Sequence, residues 1–504
     1  MTIAIGIDLG TSNSAAAVYR KGRVESIPID GKKILPSVVS YRDNGQTLVG
    51  YTAKSRLFID PENSVASSKR DMGNKSKFYS INGKKLTPID IAREILTKIR
   101  VEASAYLGEE VKDAVITIPA YFTEEQRKAT REAGELAGFN VLRLLPEPTA
   151  AAIAYGLDKE RDQTIVVYDL GGGTFDVSIL KVENNNFRVL AVDGDSNLGG
   201  DDFDDQIVQY VMNANHISAS RKGDHKGSVA SQQLKEAAEQ AKMELSESGI
   251  ADISIPDVFG IHIDEELTID TYNRLISPLV NRTIDKTLDV IKEAGLTVRD
   301  ISRIILVGGS TRNKTVREMV TQKIKQPFIA DNVDEIVAHG AAILAASLSV
   351  PDYDDTPVPI EVEDVTAHSF GINMLIDNKH YEIVHLIAKN TKIPCTGAEI
   401  GTTIHKFQSG INFSVYRTEE KIPLDKDKIG ELLLPINPKP YHVPAVALFD
   451  LDNDGIITFS SAELDMKSSL VKEFSQTQKV NLQQLQSMID RKEIVPKVIK
   501  IDTK

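Results

Sequence analysis

The chain has 504 residues, of which 41% are hydrophobic and 26% are charged, and its formal net charge is -13. This composition is that of a soluble globular protein of about three domains, and it excludes wholesale disorder. The excess of acidic residues argues against a dedicated surface for nucleic acid or for an anionic membrane. We therefore expect neither nucleic acid nor membrane among the partners.

The sequence also favours a cytoplasmic location. Its single cysteine, Cys395, excludes a disulfide framework and fits a reducing compartment. The apolar run at the N-terminus stops at Asp8, as in a strand that enters a core rather than in a signal peptide. The longest apolar helical stretch, 340–350, is far shorter than the roughly 20 residues that a membrane span needs.

Strand and helix signals alternate from residue 1 to about residue 350, which predicts an α/β domain. A hairpin that turns at Lys21 and Gly22 opens the first half, and Thr123 with Gln126 has the spacing of a helix capping box. The predicted strands are 114–118, 164–168, 174–181 and 187–193, with a turn at 184–186. The predicted helices are 88–105, 123–137 and 268–294, the last with a core stripe of Leu275, Ile276, Leu279, Val280, Ile284, Leu288 and Ile291.

The composition changes after Val350. Residues 351–359 are rich in proline and acid, which is typical of a linker. Short alternating strands and turns then predict a mostly β domain. We expect the boundaries 1–350, 351–363 for the linker, 364–465 for the β domain, and 466–504 for a polar tail with one helical candidate at 481–490.

Two similar turns, 8–14 and 168–176, each lie between two short apolar strands and contain Asp-Leu-Gly, at 8–10 and 169–171. This repetition suggests a duplicated core. Glycines let backbone N–H groups converge on phosphate oxygens, and the hydroxyl side chains add donors. Asp8 and Asp169 can hold a hydrated Mg²⁺ on the phosphates. A lone glycine triplet would be an ordinary turn, but two matched copies favour phosphate binding.

A third glycine element, 305–312, follows another strand. Its backbone could approach a purine ring, with Arg312 stacked over the base. The alternative is a turn selected for packing.

These residues resemble the DnaK-type heat-shock chaperones, which belong to the actin-like, sugar-kinase-like ATPase superfamily. The segments that carry the resemblance are 5–14, 115–122, 147–152, 169–176 and 307–312, and together the matches span nearly all of 1–350. The resemblance implies a duplicated actin-like (ribonuclease-H-like) α/β ATPase domain followed by a β sandwich. It also implies ATP or ADP as ligand, Mg²⁺ with K⁺ as an optional further cation, and a role in protein folding and the stress response.

The resemblance assigns the catalytic roles. Lys69 would position the γ-phosphate and the attacking water, Glu147 would orient the site as a weak base, and Thr174 would assist the water beside Asp169. Without the family, Lys69 would be a solvated surface lysine, and Glu147 would be a first-turn residue favoured by the helix dipole.

The resemblance also assigns nucleotide contacts. Glu239, Lys242 and Ser246 lie at helical spacing, so one face carries all three, and the alternative is a charged solvent face. Met243 stands where some relatives place an arginine against adenine. Pro119 and Arg127 would form a relay that passes nucleotide state outward. The full set of implied contacts is Gly10, Thr11, Ser12, Asn13, Gly171, Gly172, Gly173, Thr174, Asp202, Glu239, Lys242, Ser246, Gly308, Gly309, Ser310, Arg312 and Asp334.

The β domain resembles a peptide-binding sandwich. Ile372, Leu375, Ile411 and Phe413 would line an apolar slot for an extended segment of an unfolded client polypeptide. The alternative is that these residues form the sandwich core. Asp450, Asp452 and Asp454 mimic an EF-hand opening, but Ser461 replaces the final glutamate, so we expect a turn between strands.

The chain departs from the family in three places. Glu361 and Glu363 replace linker leucines, and each lost apolar side chain would cost docking about 1.5–3 kcal/mol. The short tail implies a truncated lid, rapid peptide exchange and an HscC-like branch. Segments around 215–265 are shorter than in the family, which argues against the family's usual nucleotide-exchange factor as a partner. A J-domain co-chaperone is still implied.

The sequence therefore predicts an ATP-hydrolysing chaperone. A sugar or acetate kinase-like phosphotransferase and an actin-like filament ATPase are the alternatives, because the paired loops alone do not distinguish them.

Overall fold

The computed structural model describes residues 3–156, 162–183, 185–217, 225–258, 260–329, 333–349, 359–376 and 379–500. The chain divides into two compact units, Met1–Val362 and Glu363–Lys504. Most of the predicted linker, Asn184 of the predicted turn, and parts of the shortened 215–265 region lie outside the described residues.

The first unit contains two sheets with the same strand order. In each sheet an antiparallel three-stranded meander is followed by two parallel strands. The first sheet runs Arg23–Ile27, Asn13–Arg20, Ala4–Asp8, Asp113–Ile118 and Asn140–Pro146. The second runs Asn186–Asp195, Phe175–Glu183, Gln163–Leu170, Arg303–Val307 and Phe328–Ile329, with Glu361–Glu363 added at its edge. The predicted duplication and fold class are confirmed.

Local sequence explains several element boundaries. The first hairpin turns at Lys21 and Gly22, whose φ angles are 53° and 73°, as a tight two-residue turn between twisted strands requires. The Thr123 side chain accepts from the Gln126 N–H and the Gln126 side chain accepts in return, so the predicted capping box is present.

The first unit contains helices and shorter strands besides the two sheets. The helices are Tyr51–Ile59, Pro88–Leu107, Glu124–Leu136, Glu147–Gly156, Gly200–Ala214, His225–Leu245, Ile269–Glu293, Lys314–Lys323 and Ile336–Leu348. Smaller strands are Ile34–Pro36, Val39–Tyr41, Thr47–Val49, Ser64–Val65, Tyr79–Ile81, Lys84–Leu86, Ile250–Val258 and Ile261–Thr268. Four of the predicted stripe residues on the long helix are buried and the other three pack against the same core.

Two glycines let the helix Ile336–Leu348 pack closely against the centre of the unit. A Cβ on Gly6 would lie 2.0 Å from the Ala342 nitrogen, and one on Gly340 would lie 1.7 Å from the Ala150 carbonyl oxygen. These backbone contacts fix the helix against the first strand and against the helix that begins at Glu147.

The second unit is a sandwich of two antiparallel sheets. One sheet runs His380–Ile387, Phe370–Ile376, Gly410–Arg417 and Lys428–Pro435. The other runs Cys395–Thr402, Pro444–Leu451, Ile457–Glu463 and Lys497–Lys500. The acidic stretch around Asp452 is a turn between two of these strands, since its carboxylate accepts from the Asp454 and Ile456 N–H groups. This confirms the expected strand-connecting turn.

The C-terminal segment contains more structure than the sequence suggested. Besides the predicted helix, observed as Leu482–Asp490, it contains the helix Ser469–Thr477 and the strand Lys497–Lys500. Leu470 and Leu485 are buried against Val446 and Leu448 of the second sheet. Sequence analysis missed the first helix and the strand, because both are short and their partners lie far away in the chain.

No helix among the described residues has both the length and the apolar character needed to cross a membrane.

Candidate functional site

The two Asp-Leu-Gly turns face one cavity of about 420 Å³ in the first unit. The turns touch: a Cβ on Gly172 would lie 1.9 Å from the Ser12 Oγ, and one on Gly173 would lie 2.6 Å from the Thr11 Cγ2. Glycine at both positions therefore allows the two turns to approach this closely. The predicted residues that line the cavity are Asp8, Gly10, Thr11, Ser12, Asn13, Lys69, Glu147, Asp169, Gly171, Gly172, Thr174, Glu239, Lys242, Ser246, Gly308, Gly309, Ser310, Arg312 and Asp334.

Lys69 is buried in the wall of this cavity. It lies in the one-turn helix Ser68–Asp71, and its side chain is only 7% exposed. Its Nζ donates to the Glu147 Oε1 at 2.5 Å and lies 5.6 Å from the centre of the Phe122 ring. Glu147 begins its helix, as expected. The surface alternative for Lys69 is therefore wrong, because a solvated lysine would not be buried in a charge pair.

Carboxylates outnumber cations at the cavity floor. Burial, reinforced by repulsion from Glu147, raises the pKa of Asp8 to about 7 and raises the pKa of Asp169 well above its usual range. The same two causes raise the pKa of Asp176 to about 7. The Lys69 ammonium opposes all three shifts. Such a floor favours a bound cation.

The residues present fit a magnesium ion that is held mainly through phosphate. Asp8 and Asp169 supply the carboxylate oxygens that a hard cation prefers. Among the described residues, no group of three or more histidine, cysteine or acidic side chains could hold a metal by itself. Mg²⁺ commonly keeps several waters and takes further ligands from substrate phosphates, so two carboxylates are sufficient.

The third glycine element packs against the second Asp-Leu-Gly turn, 168–176, which is called the second phosphate turn below. Gly308 has a φ of 84°, and a Cβ there would lie 2.6 Å from the Asp169 Oδ1. The Ser310 Oγ donates to the Gly171 carbonyl at 2.8 Å. Arg312 forms an ion pair with Asp334 at the rim. The element ends as a single helical turn, Gly309–Arg312, and the helix Lys314–Lys323 follows it.

The predicted helical face also reaches the cavity. The Glu239 carboxylate pairs with the Lys54 Nζ at 3.1 Å, and the Lys242 Nζ pairs with the Asp204 carboxylate at 2.7 Å. Met243 lines the cavity with its side chain well exposed. The alternative of a purely solvent-facing charged stripe is therefore wrong, since Glu239, Lys242 and Ser246 all line the cavity.

Two predicted contacts do not line the cavity. Gly173 lies under the Arg70 side chain, whose Nε would be 2.7 Å from an added Cβ. Asp202 caps a helix by accepting from the Gly199 N–H at 2.7 Å, and it pairs with the Arg70 Nη2 at 2.7 Å. These two residues therefore contact Arg70, outside the cavity lining.

Sequence reasoning missed Gly200, Asp201 and Asp204, which line the cavity. All three lie at the start of the helix Gly200–Ala214, directly after Gly199. A Cβ on Gly199 would lie 2.6 Å from the Gly172 backbone, so this helix end approaches the phosphate turn closely. The glycine pair followed by aspartates was the available signal.

The two relay residues lie beside the cavity floor. Arg127 is buried and donates to the Phe122 and Ala120 carbonyls at 3.1 and 3.0 Å, which holds the turn that begins at Pro119. The Tyr121 N–H in this turn donates to the Asp176 Oδ1 at 2.9 Å. These hydrogen bonds, together with the backbone of the turn, thus link Asp176 to the helix Glu124–Leu136.

The predicted peptide-slot residues lie in one sheet of the sandwich. Ile372 and Phe413 are buried in its core, where the Phe413 and Phe459 ring centres are 5.8 Å apart. Leu375 and Ile411 are partly exposed. Packing accounts for the first two side chains without any ligand, so only the latter two present apolar surface in this structure.

Fold and site together define a duplicated α/β domain with paired Asp-Leu-Gly turns at one cavity, joined in sequence to a β sandwich. The sequence profile of the Hsp70 protein family matches residues 4–81 and 77–497. The chain therefore belongs to the Hsp70 family. Members of this family are ATP-dependent chaperones that bind ATP or ADP with Mg²⁺ and bind unfolded polypeptides. The DnaK-type or HscC-like subdivision and the truncated lid stay predictions.

Proposed function

We propose that this chain hydrolyses ATP and uses the nucleotide state to control binding of apolar, extended segments of unfolded proteins. The observation that carries this proposal is the buried Lys69–Glu147 pair at the wall of a cavity lined by both Asp-Leu-Gly turns. Paired phosphate turns without a buried cation would serve binding alone. The ammonium group places a positive charge where negative charge must be neutralised during phosphoryl transfer.

In this proposal, water attacks the γ-phosphorus and the bond to the bridging oxygen breaks, which leaves ADP and inorganic phosphate. Bound Mg²⁺ would neutralise phosphate charge, with Asp8 and Asp169 as its protein ligands. Lys69 orients the γ-phosphate and the water, and Glu147 holds the ammonium in place by accepting its hydrogen bond. The Thr174 hydroxyl, buried beside Asp169, assists in orienting the water.

The remaining cavity residues would hold the nucleoside. Glu239, Lys242 and Ser246 would contact ribose and base, with Met243 as an apolar support. Arg312, held at the rim by Asp334, would stack on the other face of the base. Gly173 and Asp202 would act indirectly in this arrangement, through Arg70.

The sandwich would bind the client. Leu375 and Ile411 would offer the accessible apolar surface, while Ile372 and Phe413 would form the floor beneath it. The proposal places the protein in the cytoplasm, in the stress response, with unfolded polypeptides and a J-domain co-chaperone as partners. Pro119 and Arg127 would carry nucleotide state from Asp176 outward.

The decisive experiment compares Lys69→Ala with a matched control, Lys98→Ala. Lys98 pairs with Asp30 and Glu102 at the surface and does not line the cavity. We expect Lys69→Ala to bind ADP but to hydrolyse ATP at least tenfold more slowly, while Lys98→Ala keeps the wild-type rate. Equal rates in all three proteins would refute the catalytic assignment.

A second measurement tests the chaperone assignment. The affinity for an unfolded model peptide should be lower with ATP than with ADP, because the two sites are proposed to be coupled. Equal affinities would show that nucleotide does not control the sandwich. A phosphorylated small-molecule product would instead support a kinase, and ATP-dependent pelleting would support a filament.

A further inference from the structure

Arg70 lies in the one-turn helix Ser68–Asp71, which carries Lys69. It connects this helix to the second half of the first unit, Met1–Val362, which is called the ATPase unit below. The Arg70 Nη2 donates to the Asp202 Oδ2 at 2.7 Å, and its Nε lies 3.7 Å from the Asp201 Oδ2. The same Nη2 lies 3.4 Å from the Gly172 carbonyl oxygen in the second phosphate turn. Arg70 itself does not line the cavity.

Ser67 makes a parallel connection on the other side of Lys69. Its Oγ donates to the Asp201 Oδ2 at 3.1 Å. Ser67 has a φ of 53° and precedes the one-turn helix Ser68–Asp71, so it starts this turn in a left-handed conformation. Lys69 is therefore flanked by two residues that are both attached to the start of the helix Gly200–Ala214.

These contacts cross between the halves of the duplicated fold. Ser67 and Arg70 follow strands of the first half, whereas Asp201 and Asp202 follow the last meander strand of the second half. Arg70 is 21% exposed, and Asp201 and Asp202 are 29% and 24% exposed, so these charge pairs are shielded from water more than ordinary surface pairs. The contacts exist only when the two halves are close together.

We propose that Arg70 is a positioning residue, and that with Ser67 it makes the placement of Lys69 depend on closure of the two halves. When the halves separate, the turn loses its attachment to Asp201 and Asp202, and Lys69, although still paired with Glu147, no longer has a fixed position relative to the second Asp-Leu-Gly turn. Hydrolysis is then restricted to the closed state, while nucleotide can still bind. This inference rests on the proposed function, because it concerns the same hydrolytic site.

Glycine at position 173 supports this arrangement independently. A Cβ there would collide with Arg70 Nε at 2.7 Å and with Thr11 Cγ2 at 2.6 Å. The second phosphate turn thus leaves space that the guanidinium occupies.

The test uses Arg70→Met, with Arg70→Lys as the conservative variant and Arg23→Met as a matched control. Arg23 is 73% exposed and pairs only with Glu25 among the ion pairs described for it. We expect Arg70→Met to lower kcat at least tenfold while the Kd for ADP stays within threefold. Arg70→Lys should recover part of the loss, because one ion pair can form. Arg23→Met should match the wild type.

Ser67→Ala provides a second route if Arg70→Met folds poorly, as judged by its melting temperature. This variant removes one hydrogen bond and no charge, and we expect a smaller fall in kcat with an unchanged Kd for ADP. An unaltered kcat in both variants, or parallel losses of kcat and ADP affinity, would overturn the inference. A wild-type chain that does not hydrolyse ATP would overturn the proposed function itself, and this inference with it.

Discussion

The Lys69–Glu147 pair should be asymmetric in its contribution to stability. Lys69 attracts the carboxylates of Asp8, Asp169 and Asp176, whereas Glu147 repels all three. Removing the lysine leaves the buried Glu147 carboxylate without its partner, a loss that typically costs about 3–5 kcal/mol. Lys69→Met should therefore destabilise the ATPase unit strongly.

Glu147→Gln should cost much less. The amide oxygen can still accept from the Lys69 Nζ, and the substitution removes one of the repelling carboxylates. We expect a loss below about 1.5 kcal/mol, the value of an ordinary hydrogen bond. The double variant should be more stable than Lys69→Met alone, because Glu147 no longer remains buried without its partner.

The measurement is hydrogen exchange in urea, followed in the strand Gln163–Leu170 so that unfolding of the ATPase unit is reported separately. Nucleotide-free protein should be used. Lys98→Met is the matched control: Lys98 also contacts two carboxylates but is 27% exposed, and we expect a loss below about 1 kcal/mol. Equal losses for Lys69→Met and Glu147→Gln would refute the electrostatic reasoning.

Three further predictions concern the rest of the chain. Burial, with a smaller contribution from a nearby carboxylate, raises the pKa of the Cys395 thiol to about 11, so its alkylation rate should rise about tenfold per pH unit between pH 8 and 10; a plateau below pH 9 would contradict this. Leu470→Ala should destabilise the sandwich unit by about 2–5 kcal/mol in denaturant titrations, whereas Leu482→Ala, at a 39% exposed position, should have little effect; equal effects would show that the first tail helix is not part of the core. Gly340→Ala should lower the melting temperature of the ATPase unit, since an added Cβ would lie 1.7 Å from a carbonyl oxygen in the neighbouring helix and overpacking costs about 1–3 kcal/mol. Gly249→Ala is its control, because nothing lies within 4 Å of that Cβ, and similar melting temperatures for the two variants would refute the packing argument.

The sequence predicted the parts of the fold that depend on local pattern. Alternation of strands and helices, the repeated turns at Asp8 and Asp169, and the capping box at Thr123 all follow from short-range signals. The structure contains each of them. The cavity residues in those turns were identified because glycine and hydroxyl residues there have few roles other than close approach to a ligand or backbone, whereas Lys69, Glu147 and the helical face at Glu239 were assigned only through the family resemblance.

Burial, and contacts between segments that are far apart in sequence, could not be predicted from local sequence pattern. A lone lysine such as Lys69 has no local signal of burial, and only its match to family motifs singled it out. Asp201 and Asp204 were missed because their helix reaches the cavity through the close approach of Gly199 to Gly172, two segments that are far apart in sequence. The strand Lys497–Lys500 was missed because its four residues become a strand only through pairing with Ile457–Glu463.

Side chains alone do not determine how the linker residues Glu361–Glu363 contact the second sheet. Glutamates in place of leucines implied a loss of about 1.5–3 kcal/mol of apolar burial for each lost side chain. In the structure, the Glu361 N–H donates to the Asn185 carbonyl at 3.1 Å, and Glu361–Glu363 extends the second sheet at its edge. A main-chain hydrogen bond contributes about 0.5–1.5 kcal/mol whatever the side chain is. This hydrogen bond therefore offsets only part of the burial lost with one leucine, and the exposed Glu361 carboxylate stays in water, where its charge has little desolvation cost.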